Sequence, residues 1–320
     1  MFRYSYRRVS VESNTLAISP ALIPLLSQPV SIGMPSITYI RDRRDNVLDS
    51  HHGNYTTVDF ALSAKAFGSQ SVRSTVTELA SGETTPANTA ANFTRLVAQN
   101  STYTPIWRNR KELGEHSIVF ARTTRLGIEN ILGNSGNTAV IPLPERFFSG
   151  GADSDRAFAL NQAGPRDLTT GFPVGGGASF FNSFELRFPP PTLPLVGTNL
   201  SFVLFHDAGN VFNTGDEMLH SLTRWHQPNP AACVNQSTSQ QCRFDYMTQA
   251  PGGGIRYHTP IGPVRADLSY NLSPPSFPYF VQCAPNTSPP QCPIPPGQTT
   301  LFQSGTLRHI NFFFSIGQSF

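Results

Sequence analysis

Apolar and polar residues alternate strictly along several short segments in the second half of the chain. In residues 306–320, Phe312 and Phe314 occupy even-numbered positions, whereas polar residues such as Asn311 occupy odd-numbered positions. Positions with the same parity lie on the same face of a strand. Residues 264–270 alternate in the same way. Successive side chains of an extended strand point to opposite faces, so each segment is predicted to be a β-strand with one apolar and one polar face. The repeated pattern predicts an all-β chain.

The low charge of the chain indicates what lies against the apolar faces. Asp, Glu, Lys and Arg make up 13% of its 320 residues, against about 25% in an ordinary soluble domain. No segment approaches the roughly 18 consecutive apolar residues of a membrane helix. Together these features are typical of a membrane barrel, so we predict an antiparallel transmembrane β-barrel. The net charge of +3 is small and evenly spread, which argues against a nucleic-acid partner.

Ten segments are predicted to be barrel strands, separated by regions rich in Gly, Pro and Asn. They are residues 2–12, 31–41, 54–68, 91–107, 115–127, 178–188, 198–208, 252–259, 264–270 and 306–320. Short and long connections alternate, as in outer-membrane barrels, whose turns face the periplasm and whose loops face outside. Residues 69–89 are predicted to form a short helix or a loop, and residues 128–177 a long loop.

A Gly-bracketed loop at residues 149–165 carries Arg156 near its middle. An isolated arginine in such a loop is usually a solvated surface residue. The two strands that follow each place one acid, Glu185 or Asp207, on the less apolar face. A guanidinium can bind two carboxylates through its planar fork, so these three residues form a candidate clamp. Arg166 is not expected to contribute to holding the loop. The other charges of the polar faces, Arg187, Arg256, Arg265 and Asp267, are expected to line a solvated lumen wall.

The four cysteines form two closely spaced pairs in polar loops, Cys233 with Cys242 and Cys283 with Cys292. Neither His residues nor carboxylates are clustered around them at the spacing of metal ligands. Two local disulfides in an oxidising compartment are therefore favoured over a metal site. No cofactor is expected.

Two motifs that suggest catalysis are better explained by strand structure. The glycine runs at residues 175–177 and 252–254 lack the Lys-Ser/Thr that completes a phosphate-binding loop, and glycine in a strand permits bending and close approach. His206 and Asp207 are adjacent in a strand, so their side chains point to opposite faces and cannot form a relay. No Gly-X-Ser-X-Gly nucleophile motif is present. The chain is therefore not expected to be an enzyme.

The segment from Gly151 to Phe158, the two acid-bearing strands and the ending Phe314-Ser-Ile316-Gly317-Gln-Ser-Phe320 together resemble a known family. The turn at residues 259–263 belongs to the same pattern, which extends over residues 33–320. The chain resembles the barrel of the BamA/TamA superfamily, the bacterial surface antigen family. In that family the loop carries Val/Ile-Arg-Gly-Phe/Tyr, folds into the lumen and pairs its arginine with acids on the wall.

The resemblance implies a lumen clamp formed by Arg156, Phe158, Glu185 and Asp207. The matching tetrad is Asp155-Arg156-Ala157-Phe158, which keeps the arginine and the aromatic residue and departs at the other two positions. It also implies a C-terminal assembly signal formed by Phe314, Ile316, Gly317 and Phe320.

The family's barrels have about sixteen strands, within the even-numbered range of bacterial barrels, so residues 1–320 are expected to be the C-terminal part of a larger barrel with long extracellular loops. The family's periplasmic POTRA repeats, which precede the barrel, are expected to be absent from this chain. The last strand is expected to be unpaired on one side.

The resemblance implies a protein of the bacterial outer membrane that folds and inserts other barrel proteins by strand templating at its seam. The implied partners are outer-membrane lipid, unfolded outer-membrane proteins and, through POTRA repeats outside this chain, assembly lipoproteins. One alternative is a two-partner-secretion transporter of the same superfamily, which exports one protein. Another is a passive porin or structural barrel.

Deletion of Phe320, or its change to Ser, is expected to impair membrane assembly far more than a change at Ser319. Phe320 has the parity of the aromatic face that suits lipid, whereas Ser319 has the parity of the polar face. The measurement is the fraction of each variant that reaches the membrane in folded form. Equal assembly of the two variants would contradict the predicted signal.

Overall fold

The computed structural model describes residues 1–12, 18, 22–47, 49–77, 84–107, 117–133, 139–168, 170–189, 199–233, 241–259, 263–279 and 303–317. The largest element of the structure is one antiparallel sheet of ten strands. Its strands are β1 (Phe2–Val9), β2 (Val30–Asp42), β3 (Gly53–Ser63), β6 (Phe93–Trp107), β7 (Ile118–Ile131), β9 (Ala178–Phe188), β10 (Leu200–Phe212), β11 (Thr248–Tyr257), β12 (Val264–Tyr270) and β15 (Ile310–Ile316).

The ten strands follow one another across the sheet in chain order, and each is antiparallel to its neighbours. Each of the ten predicted segments overlaps one of them, which confirms the predicted all-β fold class. β1 and β15 lie at the two edges of the sheet. In the described part of the chain, β15 is therefore paired on one side only, as expected.

The register places residues of one parity on one face across all ten strands. Glu185 of β9 lies opposite Ala121 of β7 and Phe205 of β10, and all three are buried. The next residues along β10 and β9, such as Leu204 and Phe184, are exposed. The buried parity defines the inner face of the sheet, and the exposed parity defines the outer face.

The outer face carries large apolar side chains in open positions. Phe312 and Phe314 of β15 are each 68% exposed, and Leu204 of β10 is 57% exposed. A soluble protein rarely leaves so many large apolar groups in water. The arrangement is that of a barrel wall against lipid, with the apolar residues outward and the polar residues inward.

The remaining elements lie in the connections between the barrel strands. They are β4 (Val72–Thr77), β5 (Thr84–Thr89), β8 (Ala139–Val140), β13 (Ser276–Tyr279), β14 (Gln303–Thr306), and the short helices α1 (Ile23–Leu26) and α2 (Gly215–Ser221). β4 and β5 pair as an antiparallel hairpin, so the prediction of a helix or a loop at residues 69–89 is wrong. Thr and Val in that segment suit a hairpin at least as well as a helix, because β-branched residues favour strands. In the described residues, no helix has the length and apolar character needed to span a membrane.

The described part of the long connection between β7 and β9 is held together by its own backbone contacts. β7 continues to Ile131, so the predicted loop begins later than residue 128. Phe147 and Gly176 exchange two backbone hydrogen bonds of 2.8 and 3.0 Å, which bring the two ends of the connection together. The segment between them, residues 148–175, is the lumen loop. It lies against the inner face of the sheet.

Two adjacent glycines of β11 have different environments. Comparing them separates the effect of packing on stability from the effect of backbone propensity. A Cβ atom at Gly252, on the inner face, would lie 2.3 Å from Phe205 Cζ and 2.5 Å from the carbonyl oxygen of Leu268. A Cβ atom at Gly253, on the outer face, would have its nearest neighbour at 3.5 Å, the distance of an ordinary contact.

Gly252→Ala is therefore expected to destabilise the protein by about 1–3 kcal/mol through overpacking. Gly253→Ala has the same backbone propensity change and is expected to cost much less. The measurement is the urea midpoint of unfolding of both variants in the same detergent. Equal midpoints would show that Gly252 is not required for the close approach of Phe205.

Candidate functional site

Arg156 of the lumen loop is buried against the inner face, where its guanidinium meets two acids of the wall. Its Nε lies 2.7 Å from Asp207 Oδ2 and its Nη2 lies 2.8 Å from Asp207 Oδ1, which makes a bidentate pair. Its Nη1 lies 2.9 Å from Glu185 Oε1. The structure thus brings together the three charged residues that the sequence singled out. Charge-assisted bidentate contacts of this kind are the strongest hydrogen bonds that a side chain makes.

Three further residues complete the surroundings of the Arg156 guanidinium. Asp267 Oδ2 lies 3.4 Å from Nη1, and Nη2 donates to Ser183 Oγ at 3.2 Å. The Phe205 ring stacks under the guanidinium, with Cζ 3.4 Å from the ring centroid. Sequence reasoning did not assign these residues to the site. The parity of Asp267 along β12, which matches that of Asp207 along β10, was the signal that could have identified it.

Two more arginines balance the charge of the three acids. Arg187 Nε donates to Glu185 Oε2 at 3.0 Å, and Arg256 Nη1 forms an ion pair with Asp267. Arg256 Nη2 also lies 3.8 Å from Glu185 Oε1. The lumen cluster, defined as Arg156, Arg187, Arg256, Glu185, Asp207 and Asp267, therefore contains three cations and three anions. Buried charges are tolerated only when they are paired in this way.

The prediction of a solvated lumen wall is wrong for three of the four residues to which it applied. Arg256, Arg265 and Asp267 are each at most 4% exposed, and only Arg187 keeps appreciable contact with solvent. The lumen loop covers this part of the wall. The periodicity of a strand does not predict whether a distant loop folds back over it.

The backbone of the tetrad is held as firmly as its arginine. The carbonyl oxygen of Ala157 accepts hydrogen bonds from Asn271 Nδ2 and Asn311 Nδ2, each at 3.0 Å. The carbonyl oxygen of Arg156 accepts a hydrogen bond from Ser269 Oγ. Phe158 is buried in one apolar cluster with Ala163, Val211 and Ala250. Donors from β12 and β15 thus anchor the loop in addition to the ion pairs with β9 and β10.

Asp155, where the family motif has Val or Ile, supports the turn through its own side chain. Its Oδ1 accepts the backbone N–H of Ala157 at 3.0 Å, and its backbone carbonyl accepts the N–H of Phe158 at 3.2 Å. Burial, together with the nearby charge of Asp207, raises the pKa of Asp155 to about 7. The departure from the motif therefore adds a local hydrogen bond to the turn.

Other contacts hold the loop and its approach segment on either side of the tetrad. Asp153 forms an ion pair with Arg265, and its carbonyl oxygen accepts a hydrogen bond from Arg125 Nη1 at 2.6 Å. Before the loop begins, Glu145 forms a bidentate pair with Arg7 of β1, with the Nε contact at 2.9 Å. The connection is therefore fixed to β1 at one edge of the sheet and to β7 and β12 further across it.

Arg166, which was not expected to contribute, is buried and organises the later part of the loop. Its Nη1 donates to the carbonyl oxygen of Gly171 at 2.8 Å, and its guanidinium lies 4.2 Å from the centre of the Phe277 ring. Burial lowers its pKa to about 10. The expectation that Arg166 leaves the loop unaffected is therefore wrong, because it closes a turn within the loop itself.

The remaining predicted residues fall into three groups. Phe314 and Ile316 of β15 are exposed on the outer face, and the Gly317 N–H donates to the carbonyl oxygen of Pro263 at 2.8 Å. Cys233 and Cys242 form a disulfide with a Cα–Cα distance of 4.6 Å. Phe320, Cys283 and Cys292 lie outside the described residues. Within the described part of the chain, no group of three His, Cys, Asp or Glu side chains is arranged to hold a metal ion.

Comparison with known proteins places this geometry in a family. Residues 31–320 match the Omp85 superfamily domain. The chain is 30% identical over 156 residues to the outer membrane protein assembly factor BamA of Neisseria meningitidis serogroup B, an alignment that covers 47% of this chain and 19% of that protein. It is 26% identical over 239 residues to a SAM50-like protein of Schizosaccharomyces pombe, covering 74% of this chain and 39% of that protein.

A solved structure shares the fold. BamA from Haemophilus ducreyi, lacking POTRA domains 1–3, superposes with a TM-score of 0.53 at 18% identity, over 85% of this chain and 47% of that one. The chain thus spans less than half the length of each of these proteins. The match to the family domain covers nearly the whole chain, and the sheet is that of a BamA-type barrel. The chain therefore belongs to the Omp85 superfamily, and its place is the bacterial outer membrane.

Proposed function

We propose that the chain is the C-terminal barrel part of an outer-membrane protein assembly factor, which folds and inserts other β-barrel proteins. The observation that carries this proposal is the family membership together with a ten-stranded sheet whose lumen loop is locked to its wall. The mechanism is strand templating and forms no covalent bond, so the protein is not proposed to be an enzyme. The proposed substrates are unfolded outer-membrane proteins, and assembly lipoproteins are proposed partners through POTRA repeats outside this chain.

The edge of the sheet at β15 supports strand templating. In the described residues, β15 is hydrogen-bonded to β12 and to no strand on its other side. An unpaired edge presents a row of backbone N–H and C=O groups on which an incoming strand can pair. Its outward residues Ile310, Phe312, Phe314 and Ile316 are exposed and apolar, so a paired substrate strand would continue the same lipid-facing surface.

The lumen cluster supports a role as a clamp that keeps the loop against the wall. Arg156 contacts acids from three different strands, namely Glu185 of β9, Asp207 of β10 and Asp267 of β12. The loop backbone adds the contact from β15 through Asn311. The proposed role of the clamp is to hold these strands in one register while the edge next to them pairs with a substrate.

The same cluster disfavours a passive porin as the function of this chain. A porin needs an open, water-filled lumen, whereas the lumen loop covers the inner face of β9 to β12 and buries its charges. A two-partner-secretion transporter of the same superfamily would share this loop. It differs in exporting one protein rather than inserting many, and only an assay of the transported substrate separates the two.

Insertion activity is expected to be measurable with the purified chain in liposomes. An unfolded outer-membrane barrel protein added to these liposomes should reach its protease-resistant folded form several-fold faster than with empty liposomes. The control is the same chain with the outward edge residue Phe312 changed to Asp, which places a charge where the substrate strand meets lipid. No acceleration would contradict the proposal, and single-channel conductance without acceleration would favour a porin.

Removal of the clamp cation is expected to release the lumen loop. Arg156→Ala leaves three buried carboxylates with fewer counter-charges, which should cost about 3 kcal/mol or more. Limited proteolysis should then cut residues 132–177 faster than in the wild type. Arg156→Lys keeps the charge but not the planar fork, so it should give an intermediate rate. The matched control is Arg3→Ala. It removes an exposed arginine of β1 that has the parity of the inner face. Equal cleavage of Arg156→Ala and Arg3→Ala would contradict the clamp.

A further inference from the structure

A row of polar side chains crosses the outer face of the sheet, where lipid is expected. The register pairs Arg41 of β2 with Thr56 of β3, then with Asn100 of β6, Thr124 of β7 and Asn182 of β9. All five share the parity of the outer face. The row on one side of it is apolar, with Val58, Ala98 and Leu126 in the corresponding positions. The row on the other side carries Asn54, Thr102 and Arg122, so a polar band faces outward on β3 to β7. Polar side chains in the lipid-facing part of a membrane protein point to a function.

The end of this row on β7 and β9 is built around an exposed arginine. Arg122, two residues from Thr124 on the same face, is exposed and donates through Nε to Asn182 Oδ1 at 3.3 Å. Thr124 Oγ1 donates to the same oxygen at 2.8 Å. The acceptor atom of Asn182 is thus occupied twice, which leaves its amide N–H groups and the terminal nitrogens of Arg122 as donors.

This cluster of donors has a positive charge and no acid beside it. None of the ion pairs among the described residues involves Arg122. Its cross-strand neighbours on the outer face are Thr102 and Phe184, and the Phe120 and Phe184 rings stack at 5.8 Å between centroids. A guanidinium with neutral neighbours and no counter-charge among the described residues is complementary to an anion, and phosphate matches its fork most closely.

The position of Arg122 along its strand brings the phosphate plane of one leaflet within reach. β7 begins at Ile118, after the connection at residues 108–117 that joins it to β6. That connection is one of the short ones, which lie on the periplasmic side in outer-membrane barrels. Four residues of strand span about 13 Å at most, and the tilt of the strand reduces the depth further. A long arginine side chain can extend toward the head groups from there.

We propose that Arg122, Asn182 and Thr124 form a binding site for the phosphate of an anionic phospholipid in the periplasmic leaflet. The guanidinium and the amide N–H groups of Asn182 bind the phosphate oxygens, and Thr124 fixes Asn182 in the orientation that presents those N–H groups. The stacked rings of Phe120 and Phe184 lie beside the site and offer an apolar surface for the acyl chain. A lipid suits this place better than a protein partner, because the surrounding outer face carries single exposed apolar residues typical of a lipid-facing wall.

The site can be tested on the purified protein in phosphatidylcholine nanodiscs that contain a minor fraction of phosphatidylglycerol. Native mass spectrometry after release from the nanodiscs counts the retained lipids. The wild type is expected to retain phosphatidylglycerol over phosphatidylcholine, and Arg122→Leu is expected to lower that preference roughly tenfold, the loss of one strong charge-assisted contact. Arg122→Lys should keep part of it.

The matched control is Arg8→Leu, which removes an exposed arginine from the same face of β1, near the long connection to β2. It should retain the wild-type preference. The proposal would be overturned if the wild type retained the two lipids equally, a result that does not depend on the folding of any variant. It would also be overturned if Arg8→Leu lost the preference as much as Arg122→Leu. Displacement of the lipid by inorganic phosphate would reassign the site to a free anion. If chemical cross-linking gives fewer dimers for Arg122→Leu than for the wild type, with lipid retention unchanged, the site would be assigned to contact with a second copy of the chain.

Discussion

The rest of the described structure depends on the ion pairs that the buried guanidinium of Arg156 forms. It forms a bidentate pair with Asp207, a hydrogen bond with Glu185 and an ion pair with Asp267, and these acids come from three strands. Such a cluster is stable only as a whole, since any missing partner leaves a charge buried without compensation. The cluster therefore links the position of the lumen loop to the register of the sheet. The proposed function depends on this coupling, because strand templating requires an open edge beside a fixed wall.

Room for the cluster is made by residues that have almost no side chain. A Cβ atom at Gly254 would lie 1.9 Å from Asp267 Oδ1, and one at Gly252 would meet the Phe205 ring. Phe205 in turn stacks on the Arg156 guanidinium, so the inner face of β11 accommodates both the ring and the ion pairs. The glycine run at residues 252–254 thus serves close packing around a charged group. Gly253, the outward-facing member of the run, has room for a Cβ atom, so close packing requires glycine only on the inner face.

The two faces of the sheet have opposite electrostatic characters, and a single register sets both. The inner face carries the paired arginines and acids, whereas the outer face carries the large exposed apolar side chains, with Arg122 and Asn182 among its polar residues. A slip of one residue would exchange the faces and place Asp207 in lipid, so the register is strongly determined. The proposed phosphate site depends on the same register, because Thr124 and Asn182 meet only when β7 and β9 pair as they do.

The sequence by itself determined the strands and their faces. Alternation with a period of two, low charge and punctuation by Gly and Pro were sufficient to locate all ten barrel strands, because strand periodicity is a local property. The parity of Glu185 and Asp207, together with the family resemblance, also identified the acids that meet Arg156. The hairpin of β4 and β5 was missed, since Ser and Thr suit several local structures equally.

Only the tertiary structure decided which polar residues are buried and what they contact. Arg256, Arg265 and Asp267 have the pattern of a wetted wall, and they are buried because a loop distant in sequence folds over them. Asp155 and Ala157 depart from the family motif, yet the turn forms through contacts from Asn271 and Asn311, more than a hundred residues further along the chain. Parity shows which face a side chain points to, but the burial of that face depends on long-range contacts that no local pattern records.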